Sequence, residues 1–364
     1  MSRAVLVARD RASSQAGELL HKEFRSLGFD EVFAYLGNGN PIWTPLRDIR
    51  YVVEDADVLW LGMSSSPELS EPELAAAEAA FRIGVPYGFY SDTFGCYARP
   101  WFAPYRDKAS FVFVLNDEEK TAAEQLFPRA TALGNVVATG NPNWEEFAFP
   151  RVTRQQVREK LGIPENDYLI VCPGTKSVPI GSFVWIAVIN ALNELVSAGF
   201  TDRLYRVILA PHPDDATVQK EMNVYADLEK YSGAVSVRFV SRSVMVTQDI
   251  ITGADIVVTQ IVASTEGMRA AYLGIPTVCF LSVVGIEWSV ETHGTRFSPP
   301  AQMGIADAVY TGDSGALAQV IQRLLTPEGS AAMRAVQRAK CVVHERGYAI
   351  KEMARVLTEI ARSR

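Results

Sequence analysis

Seven short β-branched runs set the strongest limit on what this chain can fold into. They lie at 4–8, 58–61, 111–115, 169–172, 206–210, 256–259 and 277–281. Each is apolar on both sides rather than alternating, so each reads as a strand buried on both faces. Amphipathic helical patterns stand between them, as at 18–28, 72–84 and 315–325, and a further short strand fits 86–90. Strands of this kind separated by helices specify α/β architecture, with parallel sheets covered by helices.

Length and composition then bound the options. The chain has 364 residues, 48% of them hydrophobic and 21% charged, enough for two domains with a core each. Lys and Arg number 35 against 42 Asp and Glu, a formal net charge of -7. That balance lacks the basic surplus that contact with a phosphate backbone requires, so no nucleic-acid partner is expected. Cys96, Cys172, Cys279 and Cys341 lie far apart, without a C-x-x-C pair or histidines at metal spacing. Neither a disulfide framework nor a metal site is expected, and the chain reads as reduced and cytoplasmic. The opening MSRAVLVARDRASS is soon interrupted by charge, and no window reaches the roughly 18 uncharged apolar residues of a membrane span. The expectation is a soluble chain without export signal or transmembrane segment.

An internal echo divides the chain. Residues 54–90 run through an Ala-Asp-hydrophobic strand, small hydroxylated residues, an Ala-rich helix, Gly-hydrophobic-Pro and another strand, and 252–281 repeats that order. Asp57 and Asp255, Gly84 and Gly274, and Pro86 and Pro276 fall in equivalent places. The echo points to two Rossmann-like domains in tandem, although any βαβ unit shares part of this pattern. The proline-bearing stretch 142–166 suits a boundary, giving domains at 1–150 and 166–328. A helical segment at 329–364 is expected to pack back on the first domain.

Ligands of open parallel sheets bind beyond the carboxyl ends of the strands, which directs attention to four loops. Gly174, Thr175 and Lys176 follow the run at 169–172 and could seat a phosphate on free amides, or form a plain turn. Ser264 and Thr265 follow the run at 256–259 and open a helix, so they suit a diphosphate or serve as an N-cap. His212 follows the strand ending at Ala210, as a catalytic or a structural histidine. Asp92 follows the strand at 86–90, where a general base is wanted and where a helix-capping aspartate is the competing account.

Three segments in order resemble the GT-B superfamily, the two-Rossmann glycosyltransferases that include the non-hydrolysing UDP-N-acetylglucosamine 2-epimerases. VVATGNPNWEEF (136–147) is similar to the segment with which many members leave their first domain. ASTEGMRAAYLGIPTV (263–278) resembles the S-T-x-G-x-E-A-x-x-x-G-x-P donor motif, and 297–325 resembles its continuation. The resemblance implies a central cleft between the domains, with a nucleotide-sugar, most simply a UDP-sugar, as donor. It implies that Ser264 and Thr265 contact the donor diphosphate, that Gly174 and Thr175 approach it, and that Phe239, Val240 and Ser241 lie near the base. Lys176 or Arg269 would assist the leaving group. Arg269 stands where members carry the acid that holds the ribose hydroxyls, and an arginine cannot accept hydrogen bonds from a diol. Glu266 could take that role, or the donor differs, or turnover is lost. The loop ARDRASSQAGELL (8–20) also lacks the glycine pair common beside the acceptor.

The function expected is metal-independent transfer of a sugar from a nucleotide-diphosphate donor to an acceptor hydroxyl, without a cofactor and with Asp92 as base. A sugar-nucleotide 2-epimerase, favoured by His212, and a non-catalytic nucleotide-sugar-binding protein are the alternatives.

Overall fold

Two parallel six-stranded sheets organise the molecule, each in its own structural unit. The computed structural model describes residues 2–38, 46–174, 178–210, 212, 215–228, 232–259, 265–284, 286–287, 290, 299–310 and 314–363. The first unit is Met1–Glu146 with Val343–Arg364, and the second is Phe147–Val342.

The first sheet contains β1 (Arg3–Ala8), β2 (Glu31–Leu36), β3 (Val58–Gly62), β4 (Tyr87–Tyr90), β5 (Phe111–Val114) and β6 (Val136–Ala138). Its order is β2-β1-β3-β4-β5-β6. Alternate residues feed two apolar layers. Val5, Val7, Leu59 and Leu61 join the helix Glu71–Ile83 on one face. Ala4, Leu6, Val58 and Trp60 join the helices Arg11–Ser26 and Tyr348–Arg362 on the other.

The second sheet contains β7 (Tyr168–Pro173), β8 (Tyr205–Ala210), β9 (Ser236–Phe239), β10 (Ile256–Thr259), β11 (Thr277–Leu281) and β12 (Asp307–Tyr310). Its order is β12-β11-β10-β7-β8-β9, the Rossmann order 3-2-1-4-5-6 read from the β9 edge. Ile170 and Cys172 face the helices Val178–Ser197 and Ser314–Leu325, while Leu169 and Val171 face the helices Arg154–Leu161 and Thr265–Tyr272.

The internal echo corresponds to matched hydrogen bonding. Asp57 accepts the amide of Arg3 at 2.8 Å and donates its own amide to the Arg3 carbonyl at 2.9 Å. Asp255 makes the same pair with Leu169, at 2.8 Å each way. Each aspartate fastens the start of the strand across the switch point, β3 to β1 and β10 to β7. Gly84 and Gly274 follow their helices at φ +76° and +67°, the left-handed conformation that glycine adopts without a Cβ penalty. The next amides bond back to Ala80 at 3.0 Å and Ala270 at 2.8 Å. The Pro86 and Pro276 carbonyls then accept from Leu59 and Val257, both at 2.9 Å.

The helical tail divides between the two units. Helix Pro327–Lys340 stays on the second, where the buried Gln337 Nε2 reaches the Ile275 and Ile305 carbonyls, both at 2.9 Å. Helix Tyr348–Arg362 lies on the first unit, as expected, because Ala349, Met353, Ala354 and Leu357 form an apolar stripe that completes its core. Glu145 fixes its start by accepting the amides of Gly347 at 2.8 Å and Ala349 at 2.7 Å. No described helix is long and apolar enough to cross a membrane.

Candidate active site

The switch point of the first sheet lies between β1 and β3, and the loops leaving those strands and β4 carry a buried polar cluster. Asp92, two residues beyond β4, is 6% exposed. Its Oδ2 accepts the Ser13 hydroxyl at 3.0 Å. Its main-chain carbonyl accepts Asn141 Nδ2 at 2.7 Å. Its Oδ1 is buried without a hydrogen-bond partner among the described residues. The carboxylate therefore takes a hydroxyl 79 positions away in sequence rather than the first amides of a helix, which speaks against the capping account.

Burial pushes the Asp92 carboxyl above the ordinary carboxylate range and Asp10 adds to this, while Arg99, Ser13 and Cys96 oppose it. The buried Arg99 guanidinium donates to the Met63 carbonyl, and Cys96 Sγ approaches the same oxygen at 3.4 Å.

A second buried acid shares this edge. Glu73, at the start of helix Glu71–Ile83, accepts the Ser64 hydroxyl at 2.5 Å and the Arg9 amide at 3.0 Å. Ser64 Oγ accepts the Asp10 amide at 3.0 Å, and Asp10 Oδ2 accepts the Ser65 amide at 2.7 Å. Complete desolvation raises the Glu73 carboxyl to about 7, and its Oε2 is buried without a partner among the described residues. These contacts lace the loops after β1 and β3 together. Sequence reading missed Ser13, Ser64, Glu73, Arg99 and Asn141. The only signal for them was their position just past an apolar run or at a helix start.

The switch point of the second sheet lies between β7 and β10. Gly174 directly follows β7, and its amide donates to the Ala210 carbonyl at 2.6 Å, tying the ends of β7 and β8 together. Thr175, Lys176 and Ser264 lie outside the described residues. Thr265 is exposed at the start of helix Thr265–Tyr272, at the positive end of its dipole. His212 is half-buried beyond β8. Phe239 ends β9, Val240 is buried, and Ser241 Oγ lies 2.8 Å from Ser243 Oγ.

Arg269 is enclosed within its own unit. Its Nε lies 3.2 Å from Glu266 Oε2, and its guanidinium stacks 3.9 Å from the Phe147 ring centre. Burial raises the Glu266 carboxyl and lowers Arg269, and each opposes the other's shift. The two side chains thus form a paired unit beside the first turn of the helix. Among the described residues no group of three or more His, Cys, Asp or Glu could hold a metal ion.

Two Rossmann-like α/β domains of this build constitute the GT-B fold, and this chain has it. Solved structures of that fold align along its whole length. A UDP co-structure of MnaA from S. aureus matches with a TM-score of 0.60 and 12% identity, covering 100% of this chain and 97% of the other. Anabaena Alr3699/HepE in complex with UDP matches at 0.55 and 12%, covering 99% and 100%. An α,α-trehalose 6-phosphate synthase from Burkholderia multivorans matches at 0.56 and 12%, covering 100% of both chains. No family model matches the chain, and no curated protein matches it in sequence.

Proposed function

We propose that the protein is a glycosyltransferase that moves a sugar from a nucleoside-diphosphate donor, a UDP-sugar first of all, to an acceptor hydroxyl. The observation that carries this reading is Asp92, a buried carboxylate at the carboxyl edge of the first sheet with one oxygen held by Ser13 and the other without a hydrogen-bond partner among the described residues. A carboxyl raised above its ordinary range by burial is a stronger base than a solvated one. In the proposed step the Asp92 carboxylate receives the acceptor's proton as the acceptor oxygen bonds to the anomeric carbon. The bond from that carbon to the diphosphate oxygen breaks, and the diphosphate leaves with its electron pair.

The second sheet supplies what the leaving group needs. The positive end of helix Thr265–Tyr272 suits a diphosphate, and Thr175, Lys176 and Ser264, which lie outside the described residues, are the further candidates in sequence beside it. Glu266 is the acid available to ribose hydroxyls, and Arg269 acts through it by holding its carboxylate. The UDP bound to two of the structural neighbours supports UDP as the first nucleotide to try. Incubation with radiolabelled UDP- and GDP-sugars tests the proposal. Transfer or slow donor hydrolysis that Asp92→Asn abolishes is expected, and neither reaction over a broad acceptor panel would overturn it.

His212, half-buried at the end of β8, favours sugar-nucleotide 2-epimerisation as the second reading. Conversion of a free UDP-sugar without any acceptor, followed by NMR, distinguishes it. A non-catalytic binder would take up nucleotide in calorimetry and turn nothing over.

A further inference from the structure

Resting on Asp92 as the proposed base, the geometry points to Ser13 as its positioning residue and to Gly62 as the residue that admits Ser13. Ser13 is fully buried in the first turn of helix Arg11–Ser26, and its hydroxyl donates to Asp92 Oδ2 at 3.0 Å. Its neighbour Ser14 turns the other way and donates to the Ala8 carbonyl at 2.9 Å, which pins the same turn to the end of β1. Asn141 holds the Asp92 main chain from the loop after β6. With the main chain anchored and Oδ2 occupied, the carboxylate is held in a fixed direction.

Gly62 ends β3 directly beneath this turn. A Cβ there would lie 2.8 Å from Ser13 Cβ, 3.2 Å from Ser13 Oγ and 2.8 Å from Ala8 Cβ. Two of these distances are shorter than real Cβ contacts, so any side chain would lift the helix start off the sheet and carry the hydroxyl away from Asp92. Gly62 does not have a positive φ. Its requirement is space rather than backbone conformation, and the space is filled by the residue that holds the base.

The ionisable groups around Asp92 are Asp10 from the loop after β1, and Arg99 and Cys96 from the segment after β4. Ser13 is the hydroxyl donor among its neighbours. An O–H donated to the charged form favours ionisation, so losing it must raise the Asp92 midpoint further.

The test is a carboxyl titration by NMR on the full-length, ligand-free protein labelled with 13C-aspartate, the Asp92 signal being assigned by its loss in Asp92→Asn. Ser13→Ala should move the midpoint up by about one pH unit, the scale of one hydrogen bond to a charged group. Gly62→Ala should move it the same way when Ser13 is present and add nothing in the Ser13→Ala background. An unmoved midpoint in Ser13→Ala, or an equal shift from Gly62→Ala in both backgrounds, overturns the assignment. Ser13→Ala removes a single oxygen and carries the test alone if Gly62→Ala does not fold. Because the titration needs no substrate, a shifted midpoint in a protein inert toward UDP-sugars would keep the positioning role and remove the transferase reading.

Discussion

The two switch points are built on one frame and carry different chemistry. At both, an aspartate fastens neighbouring strands, a left-handed glycine ends the helix, and a proline carbonyl opens the next strand pair. Beyond the strands the likeness stops. The first sheet ends in a cluster of buried Ser13, Ser64, Glu73 and Asp92 with the half-buried Asp10, whereas the described residues beyond the second include the Glu266 and Arg269 pair. Even the matched aspartates diverge. Asp255 also binds Arg154 Nη2 at 2.8 Å and Arg158 Nη2 at 2.7 Å, which anchors helix Arg154–Leu161 to the start of β10. The frame is thus set by backbone needs common to any βαβ unit, and function is free to differ in what lies past the strand ends.

Substitutions at matched positions can break this comparison. The largest effect is expected at Asp92, where Asn should reduce turnover by about two or more orders of magnitude while leaving UDP affinity nearly unchanged. Ser264→Ala with Thr265→Ala on the other sheet should do the reverse and weaken nucleotide binding. Nucleotide titration by calorimetry alongside turnover separates the two, and a loss of UDP affinity in Asp92→Asn would dissolve the division of labour.

Next in size is the contrast between Asp255→Ala and Asp57→Ala. The first strands the nearly buried Arg158 and should cost about 3 kcal/mol, while the second loses a backbone tie worth about 1 kcal/mol. Chemical denaturation of the full chain measures both, and equal losses would show that the arginine pair adds nothing.

A pH series sharpens the contrast further. Glu73 titrates at about 7 in the folded protein, above its ordinary value of 4.5, so between those pH values the folded state holds a proton that the unfolded state has lost. Stability contributed by this group is therefore full below about 4.5 and falls as pH rises to about 7. Glu119, also raised to about 7 by burial, acts in the same direction. Glu73→Gln should raise Tm relative to wild type by an amount growing across this window to roughly 2 to 4 °C, as about 1 kcal/mol would. A Tm difference that stays flat with pH would refute the assignment to Glu73.

The smallest effects are expected where the two frames agree. Gly84→Ala and Gly274→Ala meet no atom within 4 Å, so each should lose only the left-handed backbone preference, about 1 kcal/mol. Clearly unequal losses would mean that the two turns are less alike than their hydrogen bonds.

Strand visibility in the sequence followed position in the sheet. The eight runs that read as strands became β1, β3, β4 and β5 of the first sheet and β7, β8, β10 and β11 of the second, all internal strands. The four that escaped notice, β2, β6, β9 and β12, are the four edges. An internal strand of a parallel sheet is covered on both faces and must be apolar throughout. An edge such as β2 or β9 is largely exposed and carries polar residues that mask it. The 20-residue helix Val178–Ser197 was equally hard to read, because a chain so uniformly apolar shows little periodicity.

The sequence alone determined the α/β class, the repeat of Asp, Gly and Pro, and the presence of Asp92 just past a strand end, since all three follow from local pattern and strand burial. Tertiary structure decided which residues meet Asp92. Ser13 and Asn141 approach it from beyond two different strands, with Gly62 at the end of a third lying against Ser13, and closeness across a sheet is created by strand order, which no local spacing encodes. It also decided the surroundings of Arg269, whose partner Glu266 is one turn away but whose stacking ring, Phe147, lies more than a hundred residues earlier in the chain. Only packing brings such distant groups into contact.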